Sequence, residues 1–549
     1  MVEMTFEPPG PGLWRLDKTH FSGPVSQYYQ GICPPAQLDG FQEGADYYGY
    51  LYDRGIEFVN EFRYHCFRPI VSTSKAGSQA ETKFQRRVER LAETYETKRW
   101  RDDLERWDTE WKPAHHETNQ SLQSVDLTDL DDDELLEHLE DCRQAVADGE
   151  ALHFRMSFTS GIPQYDFLNH TSNWTSRSPH QLLSLLDGAS PDSAGAIDEL
   201  EKVVETIQGT SFAIDVTRSD ESSEAIVEQL RNAGGAVESA MNDWLGVVGY
   251  RPISGWGLTD PYALEHPETL VRTLRKALNN RSEASGTPES YDQLAAVRQE
   301  VPREYRNRFD EFYKEARVTY RVRDERNFLS GPSRGLLRRA LLEVGRRLEA
   351  RSRLRASDHA LDFSHDELVA ALNGEKAPTA KEVAARVEYR RSHDNSDAPD
   401  QLGDRITDLS AERDLPDPAR RFVNGVQAYQ QANYPDTTVD SVGPTTVRGL
   451  GASPGNAEGP ARVVSGPADF PAIQDGDILI TDKMSPGYNV ILPLLKGVVT
   501  DTGGKLSHPA IVAREYGLPA VVGCEDATAR ISDGDRITID GESGTVQLL

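Results

Sequence analysis

One stretch carries residue types that can do covalent chemistry at a workable spacing: Thr500-Asp-Thr-Gly-Gly-Lys-Leu-Ser-His508-Pro-Ala-Ile-Val-Ala-Arg-Glu515. An imidazole is a nucleophile when neutral and inert when protonated. A helix N-terminus disfavours the protonated form by about 0.3–1 kcal/mol, because its partial charge is positive. The same charge, with the free N–H groups of the first turn, attracts phosphate. Gly503 and Gly504 let the backbone approach an anionic group with no side chain in the way. The pattern therefore supports acceptance and release of a phosphoryl group by His508. The competing reading is a helix-capping loop with an incidental histidine.

Simple elements must hold this histidine. Gly497-Val-Val-Thr500 reads as a buried strand leading into the loop. Ser507 is the expected N-cap of a helix over 509–516. Pro509 suits a first helical turn, and Gly517 with Pro519 closes the helix. Further strands are expected at 461–464, 477–481, 519–522, 536–539 and 545–548, with a shorter helix at 489–496. Residues 446–549 thus read as a compact β/α domain.

Upstream, the chain divides by composition. Residues 1–70 are rich in aromatics, Gly and Pro and read as irregular, apart from a weak strand signal at 58–68. From 81 to about 350 the pattern is helical. Leu135, Leu136, Leu139, Cys142 and Val146 recur at helical spacing behind the acidic start Asp131-Asp-Asp-Glu134. Leu336, Leu337, Ala340, Leu341, Val344 and Leu348 mark a second helix, entered through Gly331-Pro-Ser333. Gly161-Ile-Pro163, Gly188-Ala-Ser-Pro191 and the run Gly249–Gly257 read as breaks between helices. Residues 391–445 are polar linker around a short helix at 418–432. The expected fold is therefore multidomain, α + α/β. A mainly helical region over 1–390 is followed by the linker over 391–445 and the β/α domain over 446–549.

Composition sets outer limits. A length of 549 residues implies more than one domain. No apolar run approaches the ~18 residues of a membrane span, and the N-terminus lacks the basic and apolar regions of a signal peptide. The expected location is cytoplasmic. Cys33, Cys66, Cys142 and Cys524 are widely spaced, which fits neither a disulfide framework nor a zinc site, and no metal site is expected. The net charge of −29 argues against nucleic-acid and anionic-membrane binding. Because the acidic excess is spread along the chain, it reads first as the acidic surface of a salt-rich, halophile-like cytoplasm, and second as a partner surface.

Two strings carry a family resemblance. Gly451-Ala-Ser-Pro-Gly-Asn-Ala-Glu-Gly459 with Ala461-Arg-Val463, and the string from Thr500 through His508 to Gly523, resemble the swivelling phosphohistidine domain of PEP-utilising enzymes. That domain occurs in phosphoenolpyruvate synthase, pyruvate phosphate dikinase and rifampin phosphotransferase. One position departs: Leu506 stands where dikinases and synthases usually carry a regulatory threonine, and Leu-Ser-His looks more like the rifampin phosphotransferase branch. Trp14-Arg-Leu-Asp-Lys-Thr-His-Phe21, Arg323–Phe328 and Glu343–Leu348 resemble the middle region of that branch and the histidine-bearing subunit of phenylphosphate synthase. No ATP-grasp domain, phosphoenolpyruvate barrel or P-loop is read from the sequence; Gly504-Lys505 lacks the other residues of a Walker pattern.

The resemblance implies a phosphoryl-carrier subunit of a dikinase-like phosphotransferase. ATP and Mg²⁺ would bind to a separate ATP-grasp subunit, with no cofactor held by this chain. His508 would relay the phosphoryl group, through Nε2, to a small-molecule hydroxyl acceptor. Thr502 would hydrogen-bond the ring or the phosphoryl oxygens, and Gly503, Gly504 and Ser507 would donate N–H groups. Arg514 either touches phosphate or is structural. Trp14, His20 and His65 would line the acceptor region, with either histidine available as a base. His115 and His116 read as solvated, and Arg334, Arg338, Arg346 and Arg347 as solvated or paired. Two rival readings stand beside this one: a phosphorylation-dependent regulatory or binding protein, and a component of a PEP synthase-like enzyme.

Overall fold

The computed structural model describes residues 4–70, 78–186, 189, 195–253, 255–279, 289–406, 414–433, 443, 445–505 and 507–549. A mainly helical N-terminal and middle region precedes a C-terminal mixed sheet. Contacts divide the chain into two units. One comprises Met1–Pro163, Trp256–Asp260 and Leu329–Gly425; the other comprises Gln164–Gly255, Pro261–Phe328 and Val426–Leu549. The middle helices between 164 and 328 thus group with the C-terminal sheet.

The first unit contains an antiparallel sheet in the order β2 (Tyr52–Val59), β3 (Phe62–Pro69), β1 (Trp14–Leu16), β4 (Gln401–Leu402). The region expected to be irregular also holds a 22-residue helix, Gln27–Tyr48, with Pro34 and Pro35 inside it. Its buried residues, among them Tyr28, Tyr29, Cys33, Gln37, Gly40, Phe41 and Tyr48, lie on several sides, so no helical stripe shows in the sequence. Two glycines let it approach the helix Asp132–Trp174. A Cβ on Gly40 would stand 1.9 Å from the Ala151 carbonyl oxygen, and one on Gly44 would stand 2.4 Å from the Phe158 ring.

Asp131 and Glu134 form a reciprocal cap at 2.9 Å each way, starting that helix where the acidic run predicted. The helix then continues through Gly161-Ile-Pro163, and Val322–Ala350 continues through Gly331-Pro-Ser333. Both breaks expected from proline are absent. Ile162, Leu336 and Leu337 are almost fully buried, and such burial outweighs the one backbone hydrogen bond each proline omits. His115 is also not solvated. It lies buried in the helix Lys112–Ser124, 2.9 Å from Ser333 Oγ, and burial pushes its imidazole down to about 4. Of the other expected breaks, Gly188 and 190–191 lie outside the described residues.

The second unit is built on an eight-stranded sheet, β5-β12-β11-β7-β8-β9-β10-β6. Its strands are β5 (Thr446–Arg448), β6 (Leu450–Ser453), β7 (Asn456–Val463), β8 (Asp477–Thr481), β9 (Leu495–Thr500), β10 (Ala520–Val522), β11 (Arg536–Asp540) and β12 (Thr545–Leu548). The run β7-β8-β9-β10 is parallel and the outer pairs are antiparallel. Successive residues face opposite sides. Ile478, Ile480 and Val499 join Val521, Ile537, Ile539 and Val546 on one face. Leu479 and Val498 join Trp244, Leu274, Val512 and others on the opposite face, where five helices between 195 and 279 pack.

One of these helices, Pro267–Asn279, clamps the segment after β7. Arg272 donates to the carbonyls of Phe470, Pro471 and Ile473 at 2.7–3.1 Å, and Thr273 Oγ1 donates to Val490 O at 2.6 Å. The short α-helix expected at 489–496 does not form. Two 3₁₀ turns, Pro486–Val490 and Leu492–Leu494, lead into β9 instead, because Pro493 cannot donate the bond an α-helix needs. The helix expected near 418–432 is present as Asp417–Asn433.

Candidate functional site

His508 begins the helix His508–Glu515, directly after the loop that leaves β9. It therefore lies at the carboxyl ends of the parallel strands, where open α/β sheets place their ligands. Three backbone ties fix the loop. Asp501 N–H donates to Thr481 O at 3.1 Å, Thr502 N–H to Asp482 O at 2.9 Å, and Cys524 N–H to Thr500 O at 3.0 Å. Thr502 Oγ1 also donates to Asp482 O, at 2.8 Å, so this hydroxyl braces β8 against the loop.

The two glycines have separate reasons. Gly503 sits at φ +120°, a region side chains rarely adopt, and its Cβ would meet Ser507 Oγ at 2.7 Å. A Cβ on Gly504 would stand 2.1 Å from the Asn433 carbonyl oxygen. Ser507 occupies the N-cap position with extended backbone, but its hydroxyl turns back to donate to Gly504 O at 2.6 Å instead of capping the helix. Arg514 donates to Ala452 O at 2.8 Å and to Lys505 O at 3.1 Å. It ties the histidine helix to β6 and to its own loop through these two carbonyls. Leu506 lies outside the described residues.

The imidazole faces groups that the sequence alone did not single out. Nε2 lies 2.9 Å from Asn489 Oδ1. Asn489 belongs to the 3₁₀ turn that Thr273 pins, and its buried Nδ2 has no hydrogen-bond partner among the described residues. Burial first, then the charges of Arg323 and Arg251, push the His508 imidazole down to about 3. Arg251 is itself buried in the breaker-rich run after the helix Gly235–Val248; burial lowers it to about 9, with Tyr516 opposing. Ala263 N–H donates to its carbonyl at 3.1 Å and fixes that run. Arg323 opens the helix Val322–Ala350, its guanidinium 6.0 Å from the Tyr320 ring centroid. An arginine between two glycines in a breaker-rich loop was the readable signal for Arg251. Arg323 stood in a string already noted for resemblance alone.

The ring is thus neutral at ordinary pH, against an amide and in the field of two guanidinium charges. Such a group can take a phosphoryl group and hold it as an anion. One consequence is testable: phosphoryl uptake by His508 should be independent of its own ionisation from about pH 8 down to about pH 5, since an imidazole at its usual value would lose uptake below about 6.5. A pH–rate profile of label incorporation checks this.

The other candidates lie in the first unit. Trp14 is core: it is 2% exposed, packs with Phe62, Tyr64 and Leu402, and its indole donates to Gly10 O at 2.9 Å. His20 and His65 come together around Asp17. His20 Nδ1 lies 2.7 Å from Asp17 Oδ1, and Arg63 pairs with Asp17 Oδ2. Burial alone would raise the Asp17 carboxyl, but His20, Arg63 and His65 together hold it well below the usual range. His65, on β3, is pushed down to about 4 by burial; Asp17 opposes this, and Arg54, Arg63 and His20 add to it. The remaining arginines are engaged. Arg334 pairs with Glu150 at 3.3 Å, Arg338 donates to Leu258 O at 3.0 Å, and Arg346 and Arg347 pair with Glu343. Among the described residues no group of three or more His, Cys, Asp or Glu is placed to hold a metal, and no helix is long and apolar enough to cross a membrane.

Residues 473–544, which contain the whole loop and the histidine helix, match the mobile domain of PEP-utilising enzymes. The relatives are phosphotransferases and synthases by name. The rifampicin phosphotransferase of Bacillus cereus is 48% identical over 101 residues, 18% of this chain and 12% of that protein. The prodigiosin synthesizing transferase of Serratia marcescens is 33% identical over 210 residues, 38% of this chain and 21% of that one. A probable phosphoenolpyruvate synthase of Archaeoglobus fulgidus is 40% identical over 111 residues, 20% of this chain and 15% of that one. The chain therefore spans about a fifth or less of the length of these relatives.

Proposed function

We propose that this chain is the phosphoryl-carrier and acceptor component of a phosphotransferase. ATP bound with Mg²⁺ on an ATP-grasp partner supplies the phosphoryl group, His508 Nε2 takes it, and a small-molecule hydroxyl compound receives it in the N-terminal region. The work takes place in the cytoplasm. The observation that carries the reading is the setting of His508: a neutral imidazole at the carboxyl ends of parallel strands, acted on by Arg251 and Arg323 and touching Asn489. Neutrality supplies the nucleophile, and the two guanidinium charges favour the dianion once it is attached. The names of the relatives support the same class of reaction.

In this reading the structural and chemical parts separate. Thr502, Ser507 and Arg514 hold the loop in one conformation, with the Thr502 and Ser507 N–H groups bonded to Asp482 O and Gly504 O, and the N–H groups of Gly503 and Gly504 serve the phosphoryl oxygens. Asn489 serves the ring. With Oδ1 facing it, Nε2 carries the proton. For attack the ring must carry its proton on Nδ1 instead, exchanged through water, and the Asn489 amide must turn away so that the Nε2 lone pair is free.

The test uses the chain mixed with a separately expressed ATP-grasp subunit and ATP labelled in the β or the γ position. Label is expected on residue 508 only when both proteins are present. Label reaching His508 with no partner added removes the separate donor, and label that never reaches residue 508 removes the relay.

A further inference from the structure

We infer that His20, held by Asp17, is the general base that deprotonates the acceptor, and that the acceptor is a hydroxyl compound with a flat apolar body. The inference rests on the proposed relay and adds the step at its far end. It starts from a pair of groups that the histidine loop does not use. Asp17 is 3% exposed, whereas His20 keeps 40% of its side chain exposed, so the carboxylate is interior and the imidazole reachable. Asp17 Oδ1 accepts both the His20 backbone N–H at 3.3 Å and Nδ1 at 2.7 Å, which fixes the ring in position and orientation.

The carboxylate is fixed in turn from behind. Arg63 binds its other oxygen and donates from Nη2 to Gln37 Oε1 at 2.7 Å, while Gln37 Nε2 donates to Glu150 Oε2 at 2.8 Å. Asp17 N–H donates to Arg63 O at 2.9 Å, so the backbone is locked to the same arginine. Whenever the ring carries a single proton, Asp17 accepts it from Nδ1–H and the lone pair is left on Nε2. This is a base oriented by a buried carboxylate, the arrangement that general-base catalysis needs. A histidine serving only as a salt-bridge partner does not need four side chains in series behind it.

Two rings stand beside the imidazole. Trp256 meets it edge-on at 5.2 Å between centroids, and Phe21 lies at 6.5 Å. Arg334 stacks on Trp256 at 5.1 Å and holds that indole. These walls favour a flat apolar body behind the reacting hydroxyl. In the step itself, the acceptor O–H proton moves to His20 Nε2 and the acceptor oxygen bonds to phosphorus. The N–P bond of phospho-His508 breaks with its electron pair returning to the His508 ring. That ring regains one proton from water, and His20 gives its proton up to water.

The experiment separates loading from discharge. Potassium phosphoramidate phosphorylates histidine without a partner, so the full chain is loaded with it, residue 508 is checked by mass spectrometry, and phenol is added as the probe. Phenyl phosphate is expected. His20→Gln should load as the wild type does but discharge on the order of 10²–10³-fold more slowly, and His20→Gly should recover discharge when imidazole is added. The ¹⁵N spectrum of wild-type His20 should show the Nδ1–H tautomer. Equal discharge by His20→Gln, an equally deep loss in His65→Gln, or the opposite tautomer overturns the base. Wild-type chain that loads but never discharges to phenol overturns the acceptor class. A chain that does not load at His508 defeats the relay itself.

Discussion

The His508→Asn variant is expected to fold normally and to incorporate no phosphoryl label above background, a loss on the order of 10⁴-fold or more. No described side chain replaces the nucleophile. Asn489, which lies against the ring, is an amide, and Arg251 and Arg323 are cations. Asparagine is smaller than histidine and tolerated at helix starts, so the Tm should move by no more than a few degrees. The variant should also respond differently to acid. The native His508 titrates at about 3 against 6.5 for the free side chain. Below about 6.5 the unfolded chain takes up a proton that the folded chain refuses, so wild-type stability is full above that pH and falls as pH drops towards 3. Removing the imidazole removes that term, and urea titrations at pH 7 and pH 5 should show a smaller loss in the variant. Label retained by His508→Asn would place the carrier elsewhere.

Gly504→Ala should also lower uptake, by a smaller factor and for a different reason. The added methyl would stand 2.1 Å from the Asn433 carbonyl oxygen, a backbone atom that cannot rotate aside. Either the loop or the end of the helix Asp417–Asn433 must shift. Overpacking of this kind costs about 1–3 kcal/mol. A displacement of about 1 Å at a nucleophile costs on the order of 10²-fold in rate. Label uptake with the partner present should therefore fall by about that factor while the variant remains folded by circular dichroism. Gly466→Ala, where a Cβ meets no atom within 4 Å, is the matched control. Equal effects in the two variants would contradict the role given to this contact.

The sequence was most readable where its signals were local. The strands β11 and β12 alternate by twos, β8 is a short apolar run buried on both faces, and the acidic cap at Asp131 is a local hydrogen-bond pattern; all were recoverable. His508 itself was legible because strand, glycines, serine and proline all lie within a few residues of it. What escaped depends on contacts between distant segments. Arg251 and Arg323 reach His508 across more than 180 positions of chain. The helix Gln27–Tyr48 is buried on several sides and shows no stripe. Prolines 163 and 332 read as breaks because a local rule cannot weigh the tertiary burial that carries a helix through them. Asp17 lay in plain view, three residues before His20. Its importance shows only once Arg63 and Gln37 are seen behind it.

The Asn489 amide has a thermodynamic consequence. One end of it satisfies a bare imidazole, and the other end, buried and without a hydrogen-bond partner among the described residues, is a donor suited to a phosphoryl oxygen. Loading would exchange one hydrogen bond for another of similar worth, about 1 kcal/mol each. The amide itself then favours neither state strongly, and it opposes neither the forward nor the reverse transfer. A carrier that held its cargo much more tightly would become a sink, and one that held it much less tightly would lose it to water. A single side chain with a donor and an acceptor keeps the exchange reversible.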